Sequence, residues 1–125
     1  MRVLLIGIEP DAVDTADPDL PPGITQEKIA EGIEVALSDM RNRGWQPEFC
    51  SILPDDSAIP TIKASLAEHW DCIVIGGGIR IPENGLHLFE QVINAVHRDA
   101  PGTPMAFNTH PKDTADAAAR WIEGV

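Results

Sequence analysis

The sequence predicts a three-layer α/β fold, a doubly wound four-stranded parallel sheet in the order 2-1-3-4 with helices on both faces. Apolar runs typical of strands alternate four times with helical stretches, which favours parallel strands joined by right-handed crossovers. The third run, DCIVIGG, is continuously apolar, as expected for a strand that is covered on both faces. The 125 residues contain no visible repeat or linker, so one domain spanning 1–125 is predicted.

The first β–α unit joins a strand, RVLLIGI, to a helix from about 26 to 43. Thr25 is a suitable N-cap for this helix, and Gly44 stands where a C-cap glycine is expected. The apolar residues of the helix recur at helical spacing, and they are Ile29, Ile33, Leu37 and Met40.

The other three units have the same organisation. Pro60 fits the first turn of the second helix, where its missing N–H costs nothing. The third helix has one apolar and one polar side. The predicted strands are 47–53, 71–77 and 105–108, and the predicted helices are 59–70, 85–99 and 113–122.

Polar segments follow directly after three of the strands: GIEPDAVDTADPD, GGGIR and FNTHPKDT. In the predicted order, helices two and three cover one face and helices one and four the other. Strands one and three are then neighbours at the point where the winding direction reverses. Ligands of such sheets bind in the crevice outside the carboxyl ends of the strands, so this rim is the predicted site.

Composition restricts the class of partner. A net charge of −11 repels phosphate backbones, so nucleic acid and anionic membranes are poor partners. The first apolar run is too short to span a membrane and lacks a signal-peptide cleavage pattern, so a cytoplasmic protein is expected. Cys50 and Cys72 lie in or beside strands and are expected to be buried, reduced thiols.

The glycine run Gly76, Gly77 and Gly78 is predicted to bind a ligand, because glycine lets a ligand approach the backbone closely. Arg80 adds a fork of donors that suits a carboxylate or phosphate. The alternative is a simple strand-end turn with Arg80 paired to nearby acids. The run is not a dinucleotide fingerprint, since Ile81 replaces the third glycine, and the chain has no P-loop.

The segment 9–24, called the flap below, is longer than most loops of compact domains, which favours a functional role. Its prolines predict an ordered segment over the rim. Glu9 and Asp11 are assigned as ligand-binding, and Asp11 is also a candidate catalytic carboxylate. The flap acids have the chemistry for a hard cation but not the spacing of an EF-hand, and a solvated acidic loop explains them as well. No metal site and no cofactor are assigned.

Asn108, Thr109 and His110 follow the fourth strand. His110 is a candidate general acid or base, and Asn108 and Thr109 are candidate ligand contacts. The alternative is that Asn108 and Thr109 only hold the turn while Asp113 caps the last helix. Asp11, Gly78, Arg80 and Asn108 are expected to share one pocket.

The alternation of strands and helices resembles flavodoxins and response-regulator receivers. Neither activity is implied, because Glu9 and its neighbours replace the flavodoxin phosphate loop and a glycine stands where a receiver has its phosphoacceptor aspartate. The segments VLLIGIEPDAVD, DPDLPPG, GGGIR, LFEQVINAVH and AFNTHPKDT resemble a group of small α/β hypothetical proteins. That second resemblance brings no activity with it.

The sequence therefore predicts a domain that binds a small anionic metabolite at the C-terminal rim, with Arg80 and the glycine run holding the anion. The alternative is a non-catalytic interaction module that works as a homodimer. Whether the chain catalyses a reaction stays open. A concave pocket that holds the predicted residues favours the first function, and a filled, flat rim favours the second.

Overall fold

The computed structural model describes residues 1–123 and confirms the predicted architecture. Its four strands form one all-parallel sheet in the order β2-β1-β3-β4. In the middle of the sheet, Leu5 pairs with Phe49 on one side and with Val74 on the other. The strands are β1 (Arg2–Ile8), β2 (Gln46–Ile52), β3 (Cys72–Ile75) and β4 (Met105–Phe107).

Helices follow each strand, as the sequence predicts. The side chain of Thr25 accepts a hydrogen bond from Lys28 N at 3.1 Å, and Gly44 adopts φ 84°, so both predicted caps are present. Single 3₁₀ turns occur at Pro10–Ala12, Glu83–Gly85 and Pro111–Asp113. The helices are α1 (Gln26–Asn42), α2 (Ala58–Ser65), α3 (Gly77–Arg80), α4 (Leu86–Asp99) and α5 (Thr114–Ile122).

The core consists of two layers, one on each face of the sheet. Because side chains alternate along a strand, Leu4 and Ile6 pack under α2 and α4, whereas Val3 and Leu5 pack under α1 and α5. This distribution of helices is the predicted one. Cys50 and Cys72 are buried, unpaired thiols on opposite faces, and burial raises the pKa of Cys72 to about 11.

Two elements differ from the prediction. Helix α2 ends at Ser65 and not near Trp70. The indole N–H of Trp70 donates to the carbonyl of Ser65 at 2.8 Å and so occupies an acceptor that a further helical turn would need. The glycine run continues into a full turn of helix, α3, where an open turn was expected.

Within residues 1–123, no helix combines the length and the apolar character that a membrane span needs.

Candidate functional site

Two clefts flank the carboxyl ends of β1 and β3. The inner cleft, of about 130 Å³, lies on the α1 side of the sheet, against Leu5, Ile33 and Phe49. The outer cleft, of about 330 Å³, lies on the α4 side, against Ile79 and Leu88. Their shared lining consists of Ile8, Val13, Leu20 and Gly78. The clefts therefore meet at the switch point where the ligand site is predicted.

The flap crosses the rim between the two clefts, since Val13 and Leu20 line both of them. Polar contacts hold it in place. Gln26 Nε2 donates to the carbonyl of Asp11 at 3.0 Å, and Glu83 N donates to the Asp19 carboxylate at 2.8 Å. The sequence-based expectation of an ordered flap over the rim agrees with this arrangement.

Two of the flap acids stabilise turns within the flap itself. Asp14 Oδ1 accepts from Ala16 N at 3.0 Å, and Asp17 Oδ1 accepts from Asp19 N at 2.9 Å, which are Asx turns. In the part of the chain that the structure describes, no three His, Cys, Asp or Glu side chains are grouped to hold a metal ion.

The three glycines of the run differ in what they are needed for. A Cβ on Gly76 would lie 3.0 Å from the backbone oxygen of Ile6, and one on Gly77 would lie 3.1 Å from Ile81 Cδ1. A Cβ on Gly78 would meet only Ile8 Cγ1, at 3.9 Å, and Gly78 does not have a positive φ. Packing thus explains Gly76 and Gly77, whereas neither packing nor backbone conformation requires a glycine at 78.

Asn108 links three elements beneath the inner cleft. It is only 2% exposed. Its Oδ1 accepts from Gly77 N at 2.9 Å, and its Nδ2 donates to Thr114 Oγ1 at 2.9 Å. The amide therefore fixes the start of α3 to the start of α5. Asn108 lines the inner cleft, as predicted, but both ends of its side-chain amide are already hydrogen-bonded within the protein.

Arg80 points to the fourth strand and not to the flap. Its Nη2 donates to the backbone oxygen of Asn108 at 2.6 Å, and its Nε is buried without a hydrogen-bond partner among residues 1–123. Neither cleft is lined by Arg80. The helical turn of α3 explains this direction, because it carries Arg80 a full turn beyond the end of β3.

The predicted site residues therefore fall into two groups. The three glycines, Asn108, Thr109 and His110 line the inner cleft together. Glu9, Asp11 and Arg80 line neither cleft. Glu9 accepts from Ser51 Oγ at 2.6 Å, and Asp11 is exposed. Of the four residues predicted to share one pocket, Gly78 and Asn108 do so, whereas Asp11 and Arg80 lie outside both clefts.

Asp113 organises the loop that closes the inner cleft. Its carboxylate accepts from the backbone N–H and the hydroxyl of Thr109 and, at 3.3 Å, from His110 N. Partial burial acts to raise the pKa of Asp113, but these hydrogen bonds and the nearby His110 outweigh it and lower the pKa. The turn-holding role considered for Thr109 is therefore present. Among residues 1–123, His110 is the one titratable side chain that lines the inner cleft, and it is exposed.

Sequence reasoning did not identify the apolar wall of the inner cleft. Ile24, Ile29, Ile33 and Phe49 read as ordinary core residues, yet they line the cleft. Two glycines inside regular elements were the available signal. A Cβ on Gly7 would lie 3.0 Å from Phe49 Cε1, and one on Gly32 would lie 2.9 Å from Pro111 Cβ. Both glycines let a wall of the cleft approach the sheet or α1.

Comparisons of the chain with protein-family models, with curated proteins and with solved structures gave no significant match. The function therefore has to be inferred from the geometry of the site.

Proposed function

We propose that this chain is a small-molecule binding domain whose ligand occupies the crevice at the C-terminal rim of the sheet. One observation carries the proposal. Gly78 lies in the wall shared by both clefts, and neither packing nor a positive φ requires a glycine there. A glycine in a helix costs about 1 kcal/mol relative to alanine. Because glycine has no Cβ, a ligand in either cleft can approach the backbone closely at this position.

The charge of the ligand is a separate question. An anionic metabolite was expected because Arg80 was expected in the pocket. Neither cleft of the described chain is lined by a lysine or arginine, and the outer cleft is lined by Asp14 and Asp17. An anion bound by Arg80 would require its guanidinium to leave the carbonyl of Asn108. The anionic ligand thus stays a prediction that the lining of neither cleft supports, and Arg80→Ala tests it.

A thermal-shift screen tests binding directly. It includes nucleotides, sugar phosphates and carboxylates, together with uncharged compounds of similar size. A ligand at about 100 times its Kd stabilises the folded state by roughly 2.7 kcal/mol, which such a screen detects. If the bound compounds are anions and Arg80→Ala abolishes their binding, the anion site is established.

Gly78→Leu tests the place of binding, because the new side chain extends into the wall between the clefts. We expect it to weaken binding of every screen hit at least about tenfold, equivalent to about 1.4 kcal/mol. Ala64→Leu adds the same side chain at an exposed position of α2 and is the matched control. Unchanged affinity in Gly78→Leu would overturn the proposed function.

A homodimeric interaction module is the second candidate. Trp121 is 58% exposed and Phe107 is 37% exposed, and both belong to elements beside the free edge of β4. Large apolar side chains on a surface often mark an interface. Sedimentation at micromolar concentration tests this candidate. A dimer mass that Trp121→Ser converts to a monomer mass supports it, and a monomer mass for the unchanged chain contradicts it.

A further inference from the structure

Resting on the proposed function, we propose that the inner cleft takes an uncharged, ring-sized ligand with one hydrogen-bond donor, such as an aromatic alcohol. The first argument is size. The cleft measures about 130 Å³. An apolar cavity of about 150 Å³ accommodates a benzene molecule, so one six-membered ring is the matching scale. A nucleotide or dinucleotide is much larger than this volume.

The second argument is the chemistry of the wall. No lysine, arginine, aspartate or glutamate lines the inner cleft of the described chain. The amide of Asn108 is already bonded at both ends. A charged group inside the cleft would lose hydration without gaining an opposite charge, which is unfavourable. The apolar lining is formed by Leu5, Ile8, Val13, Leu20, Pro21, Ile24, Ile29, Ile33, Phe49, Ile81 and Pro111.

The third argument concerns the polar end of the ligand. The backbone oxygen of Thr109 lies 3.5 Å from where a Cβ of Gly77 would be, so an acceptor borders the glycine wall of the cleft. The exposed imidazole of His110 lies in the same lining and either donates or accepts. A hydroxyl can donate to the Thr109 carbonyl, whereas a carboxylate has only acceptors and would be repelled by it.

Three probes with the same ring test these arguments: benzyl alcohol, benzoate and benzylamine. Binding to the intact chain is followed by two-dimensional ¹H–¹⁵N NMR. We expect benzyl alcohol to shift the amide signals of Gly77, Ile29 and Ile33, with a Kd on the order of millimolar for so small a ligand. The signals of Asn84 and Gly85, which line only the outer cleft, should stay in place.

Benzoate and benzylamine are expected to bind at least about tenfold more weakly than benzyl alcohol, because their charges are not matched in the inner cleft. Benzoate that binds as tightly as benzyl alcohol would overturn the inference. So would the absence of any shift with benzyl alcohol, or shifts confined to the outer cleft.

Two substitutions locate the binding. Ile24→Trp fills the inner cleft and Leu88→Trp fills the outer one, and both wild-type side chains are half-buried and line only one cleft. We expect Ile24→Trp to weaken benzyl alcohol binding more than about tenfold and Leu88→Trp to change it less than about twofold. If Ile24→Trp does not fold, Ile29→Trp blocks the same cleft from α1.

Failure of this inference is distinguishable from failure of the proposed function. If no ring probe binds but Gly78→Leu abolishes binding of another screen hit, the ligand class is wrong and the binding site stands. If Gly78→Leu leaves all hits unaffected, the proposed site itself is wrong.

Discussion

The N-terminal and C-terminal rims of the sheet differ in what occupies them. At the N-terminal rim, the guanidinium of Arg2 lies 4.3 Å from the ring centroid of Trp70 and 3.0 Å from the Glu68 carboxylate. The backbone N–H of Arg2 donates to Asp71 at 2.7 Å. At the C-terminal rim, two clefts lie beside the three glycines, and the side-chain contacts of Asn108 lie beneath the inner cleft.

The difference indicates a division of roles, in which the N-terminal rim stabilises the sheet and the C-terminal rim is free to bind a ligand. Side chains at the N-terminal rim connect β1 to the segment that precedes β3. These contacts stabilise the two central strands at their N-terminal ends. The C-terminal rim can then leave space open without loosening the strands that border it. Binding sites on rigid elements need this kind of support. The following predictions test the division, beginning with the largest expected effect.

Trp70→Ala should cause the largest loss of stability. Trp70 is 2% exposed, packs under Arg2 and donates its indole N–H to Ser65. Truncation of a buried tryptophan costs about 3–5 kcal/mol of unfolding free energy. Chemical denaturation measures the loss, and Trp121→Ala, at an exposed tryptophan, is the control. A loss below about 2 kcal/mol would mean that the N-terminal rim does not support the sheet.

Asn108→Ala should reduce the free energy of unfolding by about 2–4 kcal/mol. It removes the acceptor of the Gly77 N–H and the donor to the hydroxyl oxygen of Thr114. Asn108→Asp keeps the acceptor for the N–H of Gly77. Its second carboxylate oxygen would face Thr114 Oγ1, which cannot donate to it because that hydroxyl already donates to the carbonyl of Pro111. A stable Asn108→Ala protein would show that the C-terminal rim needs no such link.

Gly76→Ala and Gly78→Ala form a matched pair within the C-terminal rim. The methyl group at 76 meets a backbone oxygen at 3.0 Å, so we expect a loss of about 1–3 kcal/mol. The methyl group at 78 has space, so stability should be unchanged or increase by up to about 1 kcal/mol. Thermal denaturation compares the two, and equal losses would remove the distinction between a packing glycine and a ligand-facing one.

Asp71→Asn should have the smallest effect, and only above acidic pH. The hydrogen bond from the backbone of Arg2, helped by His69, lowers the pKa of Asp71 despite slight burial. A carboxylate with a lowered folded-state pKa stabilises the protein above the unfolded value of about 4, and this stabilisation is lost as pH falls through the folded-state pKa. The wild-type advantage over Asp71→Asn should therefore vanish in acid.

Stability measured from neutral pH down to about pH 2 checks this, with Asp56→Asn at an exposed loop position as the control. The same titration with Asp113→Asn examines the other rim, because the pKa of Asp113 is lowered as well. A wild-type advantage that persists at the lowest pH would contradict the assignment.

The fold could be predicted because its signals are local and repeated. Thr25 and Gly44 mark the ends of α1, and the alternation of side chains along β1 assigns each helix to a face. The predicted end of α2 was wrong because hydrophobic periodicity gives no information about the hydrogen bond from Trp70 to Ser65. That contact depends on how the chain returns to the sheet.

The position of the candidate site could be inferred from topology, but the arrangement of its side chains could not. Strand order brings the glycine run and His110 to one rim, so their shared lining follows from topology. The direction of Arg80 does not, because it depends on the helical turn of α3, and a run of three glycines gave little reason to expect a helix. The apolar wall escaped notice because a residue that lines a small cleft and one that fills a core have the same chemistry.

The shared wall of the two clefts has a thermodynamic consequence. Val13 and Leu20 each contact both spaces, so a molecule that displaces them from one cleft changes the shape of the other. For such a molecule, occupancy of the two clefts is linked, and linkage is reciprocal: whatever factor one occupant imposes on the affinity for the second, the second imposes on the first. A ligand large enough to move the flap in one cleft would therefore act as an effector for the other.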